Sequence, residues 1–259
     1  MKSVTVMVVL HPKFMITMDE KRRILQDHYL VIEEDKIAEI TDKKPDTSDE
    51  IIELPHHIII PGLINTHTHI AMTLLRGLKD DVDLSEWLMK YILPVEKKLR
   101  PSDVYYGALY GIAEMVTSGI TTFQDMYYHE IEIAKATKDA GIRGVLTYGI
   151  ADVFFNTTPE EEFKKAQDLQ DKLERLCSDE QLKSRLIYAY GPHSPYGCTK
   201  ELLEIVRDKS KETGFRIHIH LSETKWEVEE LKKKTGMTPI QYLDSFEFLS
   251  NKVMAAHVV

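Results

Sequence analysis

The chain has 259 residues, of which 43% are hydrophobic and 29% charged, enough for one large α/β domain with a sizeable core. Its 33 basic and 42 acidic residues give a net charge of -9, which disfavours binding to nucleic acids and to anionic membranes. Only Cys177 and Cys198 are present, without a pairing pattern, which disfavours a disulfide scaffold and makes the reducing cytoplasm the expected compartment.

Short strand-like segments separated by turns fill the first sixty residues. Apolar runs cover residues 4–10, 29–32, 37–40 and 51–54, and a polar turn lies at 33–36. The run at 4–10 has only the length of a strand, and no small-residue cleavage site follows it. We therefore expect neither a membrane span nor a signal peptide, and we interpret residues 1–60 as the N-terminal part of a small β-sandwich.

From residue 61 to residue 259, strand-like and helix-like segments alternate, which favours βα units and a parallel sheet. Helices are predicted at 84–99 and 103–117, after the Thr158-Pro159 start signal, and from the Thr199 cap to Gly214. Strands are predicted at 63–67, 120–126, 143–150, 186–191, 216–222 and 253–258. The expected fold class is α/β, a parallel barrel of which about six strands are present.

Six strands cannot close the usual (β/α)8 TIM barrel, and residue 259 directly follows the last of them. Three explanations are open: the sequence is a fragment truncated at its C-terminus, the remaining strands come from another chain, or the barrel closes in a non-standard way. We favour the fragment, because residues 61–259 leave little room for two further strands with their helices.

Two histidines spaced two residues apart, His67 and His69, form the most informative motif of the chain. In an extended strand their side chains point to the same face, close enough for two imidazole nitrogens to bind one divalent ion. A solvated turn that happens to hold two histidines is the alternative for a bare pair. The context favours ligands, because residues 58–60 predict a buried strand and a second apolar run, 63–64, precedes the pair.

Three later histidines also follow or close strand-like segments. They are His193, His220 and His257. Parallel barrel strands present their carboxyl ends to one mouth, so this recurrence predicts that the histidines share an active site there.

The motifs resemble those of a known family. Residues 61–96, PGLINTHTHIAMTLLRGLKDDVDLSEWLMKYILPVE, closely resemble the amidohydrolase superfamily and, within it, the 5-methylthioadenosine/S-adenosylhomocysteine deaminases. The likeness extends through GITTFQDMY (119–127), GPHSPY (191–196), IHLSET (219–224) and AAHVV (255–259). It implies a (β/α)8 barrel with a flanking β-sandwich built from both termini, and hydrolytic deamination of a 5'-substituted adenosine.

The resemblance also implies a metal centre. His67, His69 and His220 match the metal ligands, and three neutral imidazoles leave coordination sites for water and a carboxylate. One divalent ion is expected, zinc first, with iron, manganese and nickel as alternatives. His218 matches no ligand, and we interpret it as a polar member of a barrel layer.

Further roles follow from the same motifs. Glu223 matches the glutamate that contacts the ring nitrogen and shuttles a proton from water to the purine and then to ammonia. His257 matches the histidine that touches the hydrolytic water and stabilises the tetrahedral intermediate. Glu96 and His193 match residues that bind the nucleoside. Without the motif, we would interpret Glu96 as a charged residue on a helix surface and His193 as a residue that forms local hydrogen bonds.

Two features depart from the family. Its metal-binding aspartate on the last strand would lie beyond Val259, so we expect residues 1–259 alone to bind metal weakly and to turn over slowly or not at all. S-adenosylhomocysteine deaminases often place arginines near the third strand and the loop after it, where they can bind the amino-acid carboxylate of the substrate. At those places this chain has Tyr148 and residues 152–156, DVFFN, and no arginine. An uncharged substrate, 5-methylthioadenosine or 5'-deoxyadenosine, is therefore favoured over S-adenosylhomocysteine.

Other functions stay open. A guanine or cytosine deaminase, or a triazine hydrolase, would share the metal chemistry, and a truncated chain could also be a catalytically silent metal-binding protein. The expected partner is a small nucleoside, with neither nucleic acid nor membrane. An unfinished barrel that exposes apolar edges would tend to associate, so a homo-oligomer is also expected.

Overall fold

A computed structural model describes residues 7–46 and 50–259. The chain divides into two compact units, Met1–Gly62 and Leu63–Val259. Within the described residues, no helix is long and apolar enough to cross a membrane.

The first unit is a five-stranded sheet. Its strands are β1 (Met7–Ile16), β2 (Ile24–Gln26), β3 (Tyr29–Glu33), β4 (Lys36–Thr41) and β5 (Ile51–Ile59). They are ordered β2-β1-β3-β4, all antiparallel, and β5 pairs with β1 in parallel. Val9, Met15, Leu30 and Val31 are buried in this unit.

The four predicted strands of this unit are confirmed, all of them extend beyond the predicted bounds, β1 and β5 the furthest, and β2 was not predicted. Residues 4–6 of the first predicted strand lie outside the described residues, and β1 continues to Ile16. The expected buried strand at 58–60 is wrong, because residues 58 and 59 end β5, and Ile58 and Ile60 are 59% and 50% exposed. Within the described residues β5 pairs with β1 alone, so an apolar run there is not enclosed by neighbours on both sides.

The second unit alternates strands with helices. Its strands are β6 (Leu63–Thr68), β7 (Ile120–Tyr127), β8 (Arg143–Ile150), β9 (Leu186–Tyr188), β10 (Gly191–Pro192), β11 (Ile217–Leu221) and β12 (Val253–His257). Its helices are α1 (Leu84–Glu86), α2 (Leu93–Glu96), α3 (Pro101–Thr117), α4 (Glu130–Ala140), α5 (Asp152–Phe155), α6 (Pro159–Leu176), α7 (Glu180–Arg185), α8 (Lys200–Thr213), α9 (Lys225–Thr235) and α10 (Pro239–Asp244). A 3-10 helix covers Ile70–Leu75 and a π-helix covers Trp87–Ile92.

All strand pairs of the second unit are parallel. β6, β7 and β8 are neighbours, β9 and β10 both pair with β8, and β11 pairs with β12. Tyr190, between β9 and β10, forms a bridge to Ile217 and so joins the two groups of strands. Counting β9 and β10 as one interrupted strand, the six predicted strands are confirmed, and their carboxyl ends lie at one edge.

Capping residues set the helix ends where the sequence predicts them. The Thr158 hydroxyl accepts the N–H of Glu161 at the start of α6, and the Thr199 hydroxyl accepts the N–H of Leu202 at the start of α8. Gly214 ends α8 at a φ of +79°. Apolar faces of these helices pack on the strands in a core that includes Phe123, Ile133, Leu146, Leu202 and Ile219.

The helix predicted at 84–99 is less regular than expected. It consists of α1, the π-helix and α2, and it ends at Glu96. Pro94 lacks an N–H, and its ring would clash with the carbonyl four residues earlier in a regular α-helix. A wider π turn immediately before it relieves this clash.

Two glycines face each other where β8 and β10 pair. Gly149 and Gly191 are register partners. A Cβ atom at Gly191 would lie 2.6 Å from the Tyr148 carbonyl oxygen and 2.9 Å from Thr147 Cβ, whereas one at Gly149 would meet Met126 Cγ at an ordinary 3.5 Å. Only Gly191 therefore requires the absence of a side chain.

We expect Gly191→Ala to lower the free energy of unfolding by about 1–3 kcal/mol, because β8 and β10 must move apart. Gly149→Ala is the matched control and should change it by less than about 1 kcal/mol. Urea denaturation of both variants checks this. Equal losses in the two would contradict the steric argument.

Candidate active site

Three histidines converge at the carboxyl-terminal edge of the parallel strands. His67 lies near the end of β6, His69 directly follows that strand, and His220 lies near the end of β11. One ring nitrogen from each lies within 4.8 Å of the other two, and His69 Nε2 is 3.2 Å from His220 Nε2. This is the spacing that three ligands of one ion require.

The second nitrogen of each ring is held by a partner. His69 Nδ1 lies 2.5 Å from the Met126 carbonyl oxygen, and His220 Nδ1 lies 2.8 Å from the His193 carbonyl oxygen. A carbonyl only accepts, so Nδ1 carries the proton in both rings and Nε2 is free to coordinate. The donor set therefore fits a divalent ion.

Burial keeps the clustered imidazoles neutral. Loss of solvation, reinforced by neighbouring histidines, lowers the pKa of His67 to about 4 and the pKa of His193 and His218 to about 3. The same cause lowers the pKa of His69 and His220. Neutral imidazole is the form that binds metal, so the site is ready for an ion at neutral pH.

Glu223 and His257 lie beside the cluster. His257 ends β12, and its ring stacks on His220 with centroids 5.4 Å apart. Its Nε2 is 3.7 Å from Glu223 Oε1. Burial raises the pKa of Glu223, and His257 partly offsets this. A carboxyl group tuned toward neutral pH next to a metal site is suited to move protons.

Glu96 and His193 complete the predicted set. Glu96 ends α2, and its Oε1 accepts a hydrogen bond of 2.6 Å from the Tyr127 hydroxyl. Burial raises the pKa of Glu96. His193 follows β10, with its ring 4.6 Å from that of His220.

One cavity of about 400 Å³ is lined by all seven predicted site residues, which are His67, His69, Glu96, His193, His220, Glu223 and His257. The remaining walls are largely apolar and aromatic and include Trp87, Leu88, Leu93, Phe154 and Phe155. Such a cavity would bury a flat aromatic ligand against a few fixed polar groups.

Glu227 supports the site from behind the cavity wall, and the sequence analysis gave it no role. Its side chain is completely buried, although it begins the charged run 227–234 of α9. Its two oxygens accept the backbone N–H groups of Ser222 and Glu223, at 3.0 and 2.7 Å. Glu227 thus fixes the turn that carries Glu223. The Thr224-x-x-Glu227 pattern, which resembles a capping box, was the available signal.

His218 is a polar residue of β11 that contacts one of the clustered histidines. It is fully buried in β11, and its Nε2 lies 2.9 Å from His67 Nδ1. It is not one of the three clustered histidines.

Buried neutral histidines and carboxylates at the ends of parallel strands form the arrangement of a metal-dependent hydrolase with an α/β fold. Residues 58–259 match the Amidohydrolase family. The chain therefore belongs to the amidohydrolase family.

Two curated relatives illustrate the similarity. The chain is 45% identical over 247 residues to a 5-methylthioadenosine/S-adenosylhomocysteine deaminase of Thermococcus sibiricus, covering 95% of this chain and 56% of that protein. It is 46% identical over 233 residues to a 5'-deoxyadenosine deaminase of Methanocaldococcus jannaschii, covering 89% and 54%. The chain spans about half the length of these relatives.

Solved structures show the same fold. An adenosine deaminase from Xanthomonas campestris with bound zinc matches with a TM-score of 0.83 and 26% identity, over 96% of this chain and 56% of that one. An atrazine chlorohydrolase from Arthrobacter aurescens TC1, complexed with zinc, matches with a TM-score of 0.86 and 22% identity, over 97% and 61%. The second likeness concerns the fold alone.

Replacing Glu227 by Leu leaves the N–H groups of Ser222 and Glu223 without their acceptor. We expect the free energy of unfolding to fall by about 1–3 kcal/mol, as for other buried donors that lose a charged partner. Glu227→Gln keeps the shape and one acceptor oxygen, so it should retain part of that stability. Equal stability of the parent and Glu227→Leu in urea denaturation would show that these bonds do not order the turn.

A buried carboxyl pair makes stability depend on pH. Asp125 and Glu130 are both buried, and Asp125 Oδ1 accepts the N–H of Ile70 beside the site. Burial raises the pKa of Asp125 from 3.8 to about 8, and burial together with Asp125 raises the pKa of Glu130 well above its ordinary value.

The folded state therefore keeps a proton that the unfolded chain has lost, and the contribution of Asp125 to stability declines as pH rises from about 4 through about 8. We expect Asp125→Asn, which cannot ionise, to gain stability relative to the parent between pH 5 and pH 8. Urea denaturation at both pH values measures this difference. A difference that does not change with pH would rule out the raised pKa.

Proposed function

We propose that the protein hydrolytically deaminates a 5'-substituted adenosine, with water replacing the ring amino group to give the inosine analogue and ammonia. The observation that carries this proposal is the convergence of the seven predicted residues on one cavity. The curated relatives support the choice of reaction, since they are named as deaminases of such adenosines at 45% and 46% identity.

We also propose that the six parallel strands belong to a (β/α)8 barrel, residues 61–259, and that residues 1–60 are part of a β-sandwich. The proposed cofactor is one zinc ion held by His67, His69 and His220, with iron, manganese and nickel as alternatives. When bound, such an ion lowers the pKa of a coordinated water molecule and so supplies hydroxide near neutral pH.

The proton steps fall to Glu223. Its carboxylate takes a proton from the water molecule and passes it to the ring nitrogen beside the reacting carbon. It then takes the second water proton from the hydroxyl now on that carbon and delivers it to the amino group, which leaves as ammonia. The turn fixed by Glu227 holds this carboxylate, and its raised pKa brings it closer to neutrality, where it can both accept and donate.

The other residues bind and orient. His257, 3.7 Å from Glu223, donates to the oxygen that becomes attached to the ring carbon as charge develops there. Glu96 accepts from the ribose hydroxyls, and the Tyr127 hydroxyl fixes the direction of its carboxylate. His193 contacts the base next to His220.

The cavity favours a substrate with an uncharged 5' group. Among the described residues that line it, Lys97 is the only lysine or arginine, so no guanidinium fork is present to hold an amino-acid carboxylate. We therefore propose 5-methylthioadenosine or 5'-deoxyadenosine as better substrates than S-adenosylhomocysteine. The net charge of -9 accords with free nucleosides as partners instead of nucleic acids or membranes, and we propose a cytoplasmic homo-oligomer.

The test is a substrate panel with the natural protein that carries this sequence, loaded with zinc. Loss of adenine absorbance is followed for 5-methylthioadenosine, 5'-deoxyadenosine and S-adenosylhomocysteine, and ammonia release is followed for guanine and cytosine. We expect activity on the first two compounds and its loss on chelation. Activity confined to guanine or cytosine would replace the proposed substrate class, and a zinc-loaded but inert protein would favour the silent alternative.

Glu223→Gln should lower kcat by about 10²–10⁴, because the amide cannot carry a proton between water and the purine. Glu229→Gln, the same change on an exposed side chain of α9, is the matched control and should behave as the parent. Residues 1–259 alone, assayed in parallel, test whether the family's last-strand aspartate is required.

A further inference from the structure

The three clustered histidines differ in what holds them. His69 and His220 each donate from Nδ1 to a backbone carbonyl, that of Met126 and that of His193. His67 Nδ1 instead faces a side chain, His218 Nε2, at 2.9 Å. Of the three rings, His67 is thus the one whose orienting partner can be removed by substitution without disturbing a backbone group.

The coordination of His67 determines which ring donates the hydrogen bond between His67 Nδ1 and His218 Nε2. A ring that coordinates through Nε2 carries its proton on Nδ1, so His67 donates and His218 Nε2 must accept. His218 then carries its own proton on Nδ1. Within the described part of the chain that buried nitrogen has no hydrogen-bond partner. A completely buried histidine with an unpaired donor is poorly suited to serve only as a core residue, because that donor has lost its contact with water.

We propose that His218 is a positioning residue for the metal centre, holding His67 in the tautomer and ring orientation that direct Nε2 toward His69 and His220. The proposal rests on the proposed metal site. Its geometry follows from the strand, because residues 218 and 220 lie on the same face of β11 and place one ring behind His67 and the other beside it. Partners of this kind raise the basicity of a ligand and limit its rotation.

The test uses two polar variants that differ in reach. Gln places its amide oxygen at about the position of the imidazole Nε2 and can still accept from His67, whereas the shorter Asn ends near the position of Nδ1 and cannot. Zinc affinity is measured for the natural protein, His218→Gln and His218→Asn by competition with a chromogenic chelator. We expect His218→Asn to bind zinc about 10–100-fold more weakly than the parent, and His218→Gln to recover most of that affinity.

Urea denaturation of the metal-free variants separates positioning from stability. The proposal predicts that the two variants differ in zinc affinity even where their metal-free stabilities agree. It is overturned if His218→Asn binds zinc as tightly as the parent, or if His218→Gln is weakened as much as His218→Asn. A parent that binds no zinc would instead refute the proposed metal site itself, and loss of deaminase activity with unchanged zinc affinity would place the role of His218 outside metal binding.

Discussion

The candidate site depends on keeping several imidazole rings neutral, buried and aimed at one point. Three rings lie close enough for their nitrogens to bind one ion. Free imidazoles in water would not stay in this arrangement. Burial lowers the pKa of these histidines and so disfavours their protonation. Hydrogen-bond partners on the opposite ring nitrogens limit the rotation of the rings. His257 stacks on one of these rings, His220, and Glu223 lies 3.7 Å from His257.

The parallel pairing of strands brings these histidines together. β11 and β12 are in parallel register, with His220 opposite Ala256 and Leu221 opposite His257. His257, the residue after Ala256, brings a second imidazole beside His220, with ring centroids 5.4 Å apart. Because the strands all run the same way, residues far apart in sequence meet at one edge without a long loop.

Local patterns were enough to predict the strands and the histidines at their ends. His67 and His69 are visible as a pair because a strand has a period of two, and Thr158 and Thr199 are visible as caps because their chemistry is local. Burial was harder to predict, because it depends on neighbours that local sequence does not specify. Glu227 is buried although it belongs to a charged run, and residues 58–60 were predicted to form a buried strand although two of them are exposed.

Contacts between distant elements were beyond local reasoning altogether. The bond from Tyr127 to Glu96 and the contact between His218 and His67 join residues 31 and 151 positions apart. The roles of the seven site residues, which motif resemblance suggested, remain predictions, and so does the boundary at residue 61, which the change in segment pattern suggested.

The number of residues in the π-helix at Trp87–Ile92 determines where the following side chains point. A π turn holds one residue more than an α turn, and each residue of a helix advances the direction of later side chains by about 100°. Glu96 lies four residues after this turn and reaches the cavity in the orientation that the extra residue creates. Removal of a residue of this turn that does not line the cavity, such as Lys90, would rotate the Glu96 carboxylate away from Tyr127 while leaving every lining side chain chemically intact. Relatives that differ by a single residue in this segment are therefore expected to differ in the direction in which this carboxylate points.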